Sequence, residues 1–168
     1  MDQLNIIFDV DDENLRNDLF NFTLPEAIEY LEGTMNPQWG QMTAQQMLEH
    51  LIWNFEIATG KITVSCGYPE AVSERFKSFI FNNNPTPREF KNPLLVNSLP
   101  ALRFENLTAA RKELNIGIKK FIEHYQSSSD IKRIHPVFGL LSMDEWHRNI
   151  YKHCIHHLLQ FDLICLNG

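Results

Sequence analysis

Near its C-terminus the chain reads Trp146-His147-Arg148-Asn149-Ile150-Tyr151-Lys152-His153-Cys154-Ile155-His156-His157-Leu158-Leu159-Gln160-Phe161, a run that places histidines among residues typical of a protein core. An α-helix turns by about 100° per residue, so with Trp146 at zero His153 falls at about 340° and His157 at about 20°. Both histidines share the apolar stripe with Ile150. The pattern predicts a long helix that buries this stripe in the centre of the fold.

Two imidazoles in one buried stripe need partners, because a buried polar ring without one costs on the order of a few kcal/mol. His153 and His157 are four residues apart on one face and can therefore bind a single metal ion. Hydrogen bonds within the core are the alternative, since neutral histidine is both a common ligand and a common half-buried residue. His147 and His156 fall at the edges of the stripe and are weaker ligand candidates.

A second amphipathic segment, residues 43–59, offers a third imidazole. Thr43 followed three residues later by Gln46 is typical of a helix N-terminus. Inward positions then include His50, where an apolar residue is expected. A lone histidine on such a stripe is more often structural, but together with His153 and His157 it predicts a three-histidine metal site.

Composition predicts one globular domain spanning residues 1–168. A chain of 168 residues that is 43% hydrophobic can bury a sizeable core, and no apolar run is long enough for a membrane span. Cys66, Cys154 and Cys165 cannot all pair and include no Cys-x-x-Cys motif, so we expect reduced thiols in the cytoplasm. Cys154 is interpreted as a small core residue, with metal ligation or nucleophilic attack as the alternative.

The charge pattern argues against nucleic acid as a partner. Fifteen basic residues face 21 acidic ones, giving a net charge of −6, and no basic run is interleaved with aromatics. The densest acidic cluster, residues 9–13, lacks the glycine and the ligand spacing of a calcium loop and is interpreted as the start of a helix.

The periodicity predicts an all-α fold, a four-helix bundle with an accessory helix and long crossover loops. Residues 61–65 alternate briefly and suggest a short strand or an extended link. Residues 82–100, rich in asparagine and proline, are interpreted as an irregular crossover. The predicted helices cover residues 11–22, 25–32, 43–59, 69–81 and 106–125, followed by the terminal helix that Ser142 and Glu145 open.

Several of these blocks together resemble the DinB-like superfamily, and within it a subfamily whose function is unknown. The resemblance runs from about Leu15 to the C-terminus. It implies an up-down-down-up four-helix bundle, often a homodimer, in which His50, His153 and His157 hold one divalent metal ion. The residues that carry it are Trp39-Gly40-Gln41-Met42-Thr43-Ala44-Gln45-Gln46-Met47-Leu48-Glu49-His50-Leu51, His135-Pro136-Val137-Phe138-Gly139, Glu145-Trp146, and His153, His156, His157, Gln160 and Phe161.

Four further side chains are candidates to support the metal ligands. Asn54 and Gln160 follow His50 and His157 by about one turn, and His156 adjoins His157. His135 has two interpretations: a loop residue held extended by Pro136, or a group that faces the metal or the substrate.

Three neutral imidazoles with an open coordination position suit zinc, nickel or iron and indicate catalysis. The resemblance implies thiol-dependent transferase or hydrolase chemistry on a small-molecule substrate, with a low-molecular-weight thiol or water as the attacking group; neither chemistry follows from these residues alone. The sequence identifies no general base, since Glu49 points about 100° away from His50 on its helix. The alternative is a non-catalytic module that binds metal or dimerises, because the terminal helix is apolar almost all round.

Overall fold

The computed structural model describes residues 3–88, 99–127 and 130–167. Helices make up 54% of the described residues and strands 10%, so the prediction of a mostly helical fold is confirmed, while all-α is too strict. The elements are β1 Leu4–Ile7, α1 Glu13–Asp18, a π-helical segment Leu19–Thr23, α2 Leu24–Glu29, α3 Ala44–Ala58, α4 Glu70–Phe81, α5 Leu107–Ser127, β2 Lys132–His135, β3 Gly139–Ser142, α6 Met143–Gln160 and β4 Ile164–Asn167.

Two small sheets were not predicted. Strand β1 pairs in parallel with β4, which brings the two ends of the described chain together. Strands β2 and β3 form an antiparallel hairpin in which His135 pairs with Gly139. Gly139 has a φ of 69°, the left-handed conformation in which a glycine lets a short hairpin loop close. The hairpin leads directly into α6.

The first helices differ from the prediction at Pro25. A break was expected before this proline, but the backbone stays helical from α1 through the π-helical segment into α2. The Leu24 N–H donates to the carbonyl of Leu19, five residues back. This wider turn accommodates the proline ring, which in a regular α-helix contacts the carbonyl four residues before it. The second helix ends at Glu29, three residues before the predicted Glu32.

The two helices that carry the histidines begin as predicted. Thr43 and Gln46 form a reciprocal capping box at the start of α3, and Ser142 and Glu145 form another at the start of α6. Each box satisfies two backbone N–H groups that the first helical turn leaves unpaired. The caps therefore fix where each helix begins and which face it turns inward.

Helix α3 packs against both α5 and α6 and is the central element of the fold. Its Phe55 meets Phe121 of α5 edge to face at a ring-centroid distance of 5.4 Å, and Phe20 of the π-helical segment meets Phe121 at 5.5 Å. Edge-to-face packing is the preferred geometry of aromatic pairs. This cluster holds α3 in place, so that its other face presents His50 to α6.

The segments that connect the helices agree with the prediction in part. Residues 61–66 form an extended link rather than a strand, and α4 begins at Glu70 after Pro69. In the predicted crossover, residues 82–88 and 99–100 carry no helix or strand, and residues 89–98 lie outside the described part. None of the described helices combines the length and the apolar content that crossing a membrane requires.

Candidate metal centre

Three imidazoles converge between α3 and α6. Nε2 of His153 lies 2.9 Å from Nε2 of His50 and 2.9 Å from Nε2 of His157. The three ligand atoms all lie within 4.8 Å of one another. Nitrogens bound to one tetrahedral zinc ion are about 3.4 Å apart, because each lies about 2.0 Å from the metal. The three residues that the helical faces selected therefore meet at the spacing of a metal site.

The protons of these rings cannot satisfy every contact. A neutral imidazole nitrogen carries either one proton or one lone pair. The Nδ1 of His157 lies 2.7 Å from Oε1 of Gln160, so it carries the proton and its Nε2 carries a lone pair. If Nε2 of His153 carried a proton, that one proton would have to form both the contact with His50 and the contact with His157. A cation at the centre of the three nitrogens satisfies all of them, so the donor set fits a divalent metal.

Burial keeps these rings neutral. Desolvation lowers the pKa of His50 to about 4, with a smaller contribution from His156. Desolvation likewise lowers the pKa of His153 and His157 well below the ordinary value, and the neighbouring histidines lower both further. Only a neutral imidazole has a lone pair for a metal. At neutral pH the three rings are therefore available as ligands.

Gln160 orients one of these ligands. Its Oε1 accepts from Nδ1 of His157, and its Nε2 donates to the carbonyl of Trp39 at 2.8 Å. The two contacts fix both the amide and the imidazole, and they link α6 to the loop before α3. A hydrogen bond to the second nitrogen is a common feature of metal-binding histidines.

The other two candidates near the ligands contact the main chain. Nδ2 of Asn54 donates to the backbone carbonyl of His50 at 3.0 Å, so it reinforces helix α3 through the main chain. Nδ1 of His156 lies 3.2 Å from the carbonyl of Thr86, and its ring meets Trp39 edge to face at 5.4 Å. His156 borders a separate cavity of about 520 Å³.

His135 ends strand β2 and is buried. Its Nδ1 accepts from the backbone N–H groups of Val137 and Phe138 at 3.0 and 3.2 Å, which closes the hairpin loop. Burial lowers the pKa of His135 to about 3. His135 is also the last of the groups that lower the pKa of His153. These contacts agree with the interpretation of His135 as a loop residue, and a role that faces a metal or a substrate stays a prediction.

Sequence reasoning missed a cavity beside His50. It has a volume of about 360 Å³ and is lined by residues of α3 and by residues 99–103. Glu49, which the helical wheel placed away from His50, lines it too. Its carboxylate accepts from Gln45 and from the backbone N–H groups of Arg103 and Phe104. The signal in the sequence was the pair of acidic residues, Glu49 and Glu56, on a helix with no Lys, Arg or Asp.

Cys154 and Lys152 are buried in α6 and serve the structure. Cys154 is inaccessible to solvent and burial raises the pKa of its thiol, as expected for the core residue we predicted. Nζ of Lys152 donates to the carbonyls of Phe79 and Asn82, which end helix α4, and burial lowers its pKa to about 8. Neither residue belongs to the three-histidine cluster.

Comparisons with protein-family models, with curated proteins and with solved structures found no match for this chain. The resemblance to the DinB-like superfamily therefore stays a prediction.

His147, the fourth histidine of α6, is part of the core. Its Nδ1 accepts from Nε of Arg16 at 2.9 Å, and its ring stacks on Tyr125 with centroids 3.9 Å apart. Arg16 is 2% exposed, and its Nη1 also donates to the carbonyl of Val10. Desolvation, with smaller contributions from Arg16 and Arg148, lowers the pKa of His147 to about 3. This histidine must be neutral to accept the hydrogen bond.

We expect His147 to make the protein less stable in acid. Its pKa is about 6.5 in the unfolded chain and about 3 in the folded one, so its contribution is complete above pH 6.5 and is lost as the pH falls toward 3. Each pH unit in that window costs about 1.4 kcal/mol of unfolding free energy. Urea unfolding at several pH values should therefore show a shallower acid slope for His147→Gln, which keeps an acceptor for Arg16. Equal slopes for the variant and the wild type would contradict the assignment.

Proposed function

We propose that the chain is a metal-dependent enzyme whose divalent ion, zinc, nickel or iron, is held by His50, His153 and His157. The observation that carries the proposal is the convergence of three neutral Nε2 atoms from two helices. A divalent ion bound by three imidazoles, with a position left open, supplies a Lewis acid. Structural sites normally use four protein ligands, so three favour catalysis.

We propose thiol-dependent transferase or hydrolase chemistry on a small molecule. The cavity of about 360 Å³ beside His50 is of the size that proteins use for small ligands. His157 is held by Gln160, which keeps its Nε2 directed at the ion. His135, which contributes to the lowered pKa of His153, is our candidate for a residue that faces the substrate.

The alternative, a non-catalytic module that dimerises through α6, has less support. This alternative was based on the apolar character of α6 on nearly all sides. Of the three side chains behind that argument, Ile155 is 1% exposed and Leu163 is 3% exposed within a single chain, while Leu159 is half-buried. The fold itself buries Ile155 and Leu163, so of the three only Leu159 offers apolar surface to a second subunit. A homodimer remains a prediction that light scattering can test.

Metal content tests the site directly. We expect about one divalent ion per chain in the wild type by mass spectrometry, and its loss in His50→Ala, His153→Ala and His157→Ala, because each removes one of three ligands. His124→Ala, on α5 and outside the cluster, is the matched control and should keep its metal. Unchanged loading in the three variants, with circular dichroism like that of the wild type, would refute the site.

Activity tests the chemistry. Metal-loaded wild-type protein, screened with low-molecular-weight thiols and with ester or amide substrates, should turn over a substrate that His50→Ala does not, because His50 borders both the ion and the cavity. His124→Ala should retain this activity. If the wild type and His50→Ala give the same rates across the screen, the cluster is not a catalytic site.

Gln160 should influence metal affinity through His157. We expect Gln160→Ala to weaken metal binding about 10–100-fold, measured by competition with a chromogenic chelator, because the ring loses the acceptor that orients it. Gln160→Glu, which keeps an acceptor, should bind more tightly than Gln160→Ala. Asn54→Ala is the matched amide control, since Asn54 donates to a backbone carbonyl. Equal affinities for Gln160→Ala and Asn54→Ala would remove this role.

A further inference from the structure

The cavity beside His50 is built mainly from apolar side chains. They come from the loop before α3, from α3 itself, from the link after it and from the segment before α5. The apolar lining includes Met42, Trp53, Ile62, Leu99 and Leu102. His50 belongs both to this wall and to the three-histidine cluster. An occupant of the cavity therefore lies against one ligand of the proposed metal.

The apolar side chains of this wall are only partly covered by the described part of the protein. Leu102 is 51% exposed, and Met42, Trp53, Ile62 and Leu99 are only half-buried. Apolar surface that faces a water-filled cavity gains free energy when an apolar group displaces that water. A volume of about 360 Å³ lies near the lower end of the range for ligand pockets. A single aromatic ring or a branched aliphatic chain suits this size.

The charged groups at the cavity neutralise one another. Both guanidinium nitrogens of Arg103 bind the carboxylate of Glu56, at 2.7 and 2.9 Å, and Lys61 binds the same carboxylate at 2.8 Å. Glu49 accepts from Gln45, Arg103 and Phe104. The two residues with charged side chains that line the cavity, Glu49 and Arg103, have formal charges that sum to zero. No net charge remains in this group to select an anionic or a cationic ligand.

The outer wall of the cavity is held in position before any ligand binds. Glu49, 7% exposed, accepts from the backbone N–H of Arg103 at 2.6 Å and from that of Phe104 at 3.2 Å. Glu56, 4% exposed, anchors the side chain of Arg103. Two buried carboxylates on α3 thus fasten residues 103–104 to the helix. A pocket that is already ordered loses less entropy when its ligand binds.

We infer that this cavity is the substrate pocket and that it takes an uncharged, apolar group, with the polar reacting atom of the substrate directed at the metal. The inference rests on the proposed function, because the three-histidine site gives the pocket its chemistry. It extends that function by assigning the substrate class: a small molecule with an aromatic or branched aliphatic group next to the reacting atom. A charged substrate portion is excluded from this wall.

Hydroxamic acids that differ only in their apolar group test the inference. Cobalt(II)-loaded protein would be titrated with acetohydroxamic acid and with benzohydroxamic acid, following the visible absorption of the cobalt. We expect the phenyl compound to bind roughly tenfold or more tightly, because its ring buries apolar surface in the cavity. Leu102→Trp, which fills the cavity from its exposed side, should abolish this preference while its cobalt loading stays that of the wild type, since Leu102 is not one of the three histidines.

Leu140→Trp is the matched control, since Leu140 is 50% exposed on β3 and does not line the cavity. It should retain the preference of the wild type. Equal affinities of wild-type protein for both acids, or a preference that survives in Leu102→Trp, would overturn the apolar pocket while leaving the metal site intact. Protein that takes up no cobalt at the three histidines would overturn the proposed function, and the pocket assignment with it.

Discussion

Burial of an imidazole creates a need for a polar partner, and that need organises helix α6 and its surroundings. A buried polar ring without a partner costs on the order of a few kcal/mol. His147 meets the requirement with Arg16, His135 with two backbone N–H groups, and the Nδ1 of His157 with Gln160. The nitrogens that remain in mutual contact are the three Nε2 atoms at the centre. The other nitrogens bind partners elsewhere in the fold, and these three are left facing one another.

Partners of this kind also tie together segments that are distant in the sequence. The pair of Arg16 and His147 joins α1 to α6, and Lys152 joins α6 to the end of α4. Gln160 joins α6 to the carbonyl of Trp39. Helix α6 is therefore fixed along its length by polar contacts as well as by its apolar stripe. A ligand set split between α3 and α6 keeps its spacing only if both helices are held in this way.

The sequence predicted those features of the fold that depend on local periodicity. The capping residues Thr43 and Ser142 and the inward direction of His50, His153 and His157 follow from one helix at a time. The β2–β3 hairpin did not follow, because its four-residue strands are too short for a clear alternation, and the pairing of β1 with β4 joins opposite ends of the chain.

The parts of the site that were missed depend on contacts between segments. The partner of His147 is 131 residues away, and the N–H groups that Glu49 binds are 54 and 55 residues away. A helical wheel gives the direction of Glu49 from its own axis, but it cannot show that another segment folds over that face. The cavity wall could therefore not be predicted from the sequence, although the acidic residues that hold it could be identified there.

The state of the two buried carboxylates bears on which of the proposed reactions this site suits. Attack by water on an amide needs a base to take a proton and an acid to return one to the leaving amine. Glu49 and Glu56 are engaged with N–H groups and cations, and hydrogen bonds from Arg103 and Lys61 outweigh burial and lower the pKa of Glu56. Its lowered pKa makes Glu56 a weaker base than an ordinary glutamate. A thiol, with a pKa near 8.5, needs far less assistance to become a nucleophile, so of the two chemistries proposed for this site thiol transfer depends less on a carboxylate base.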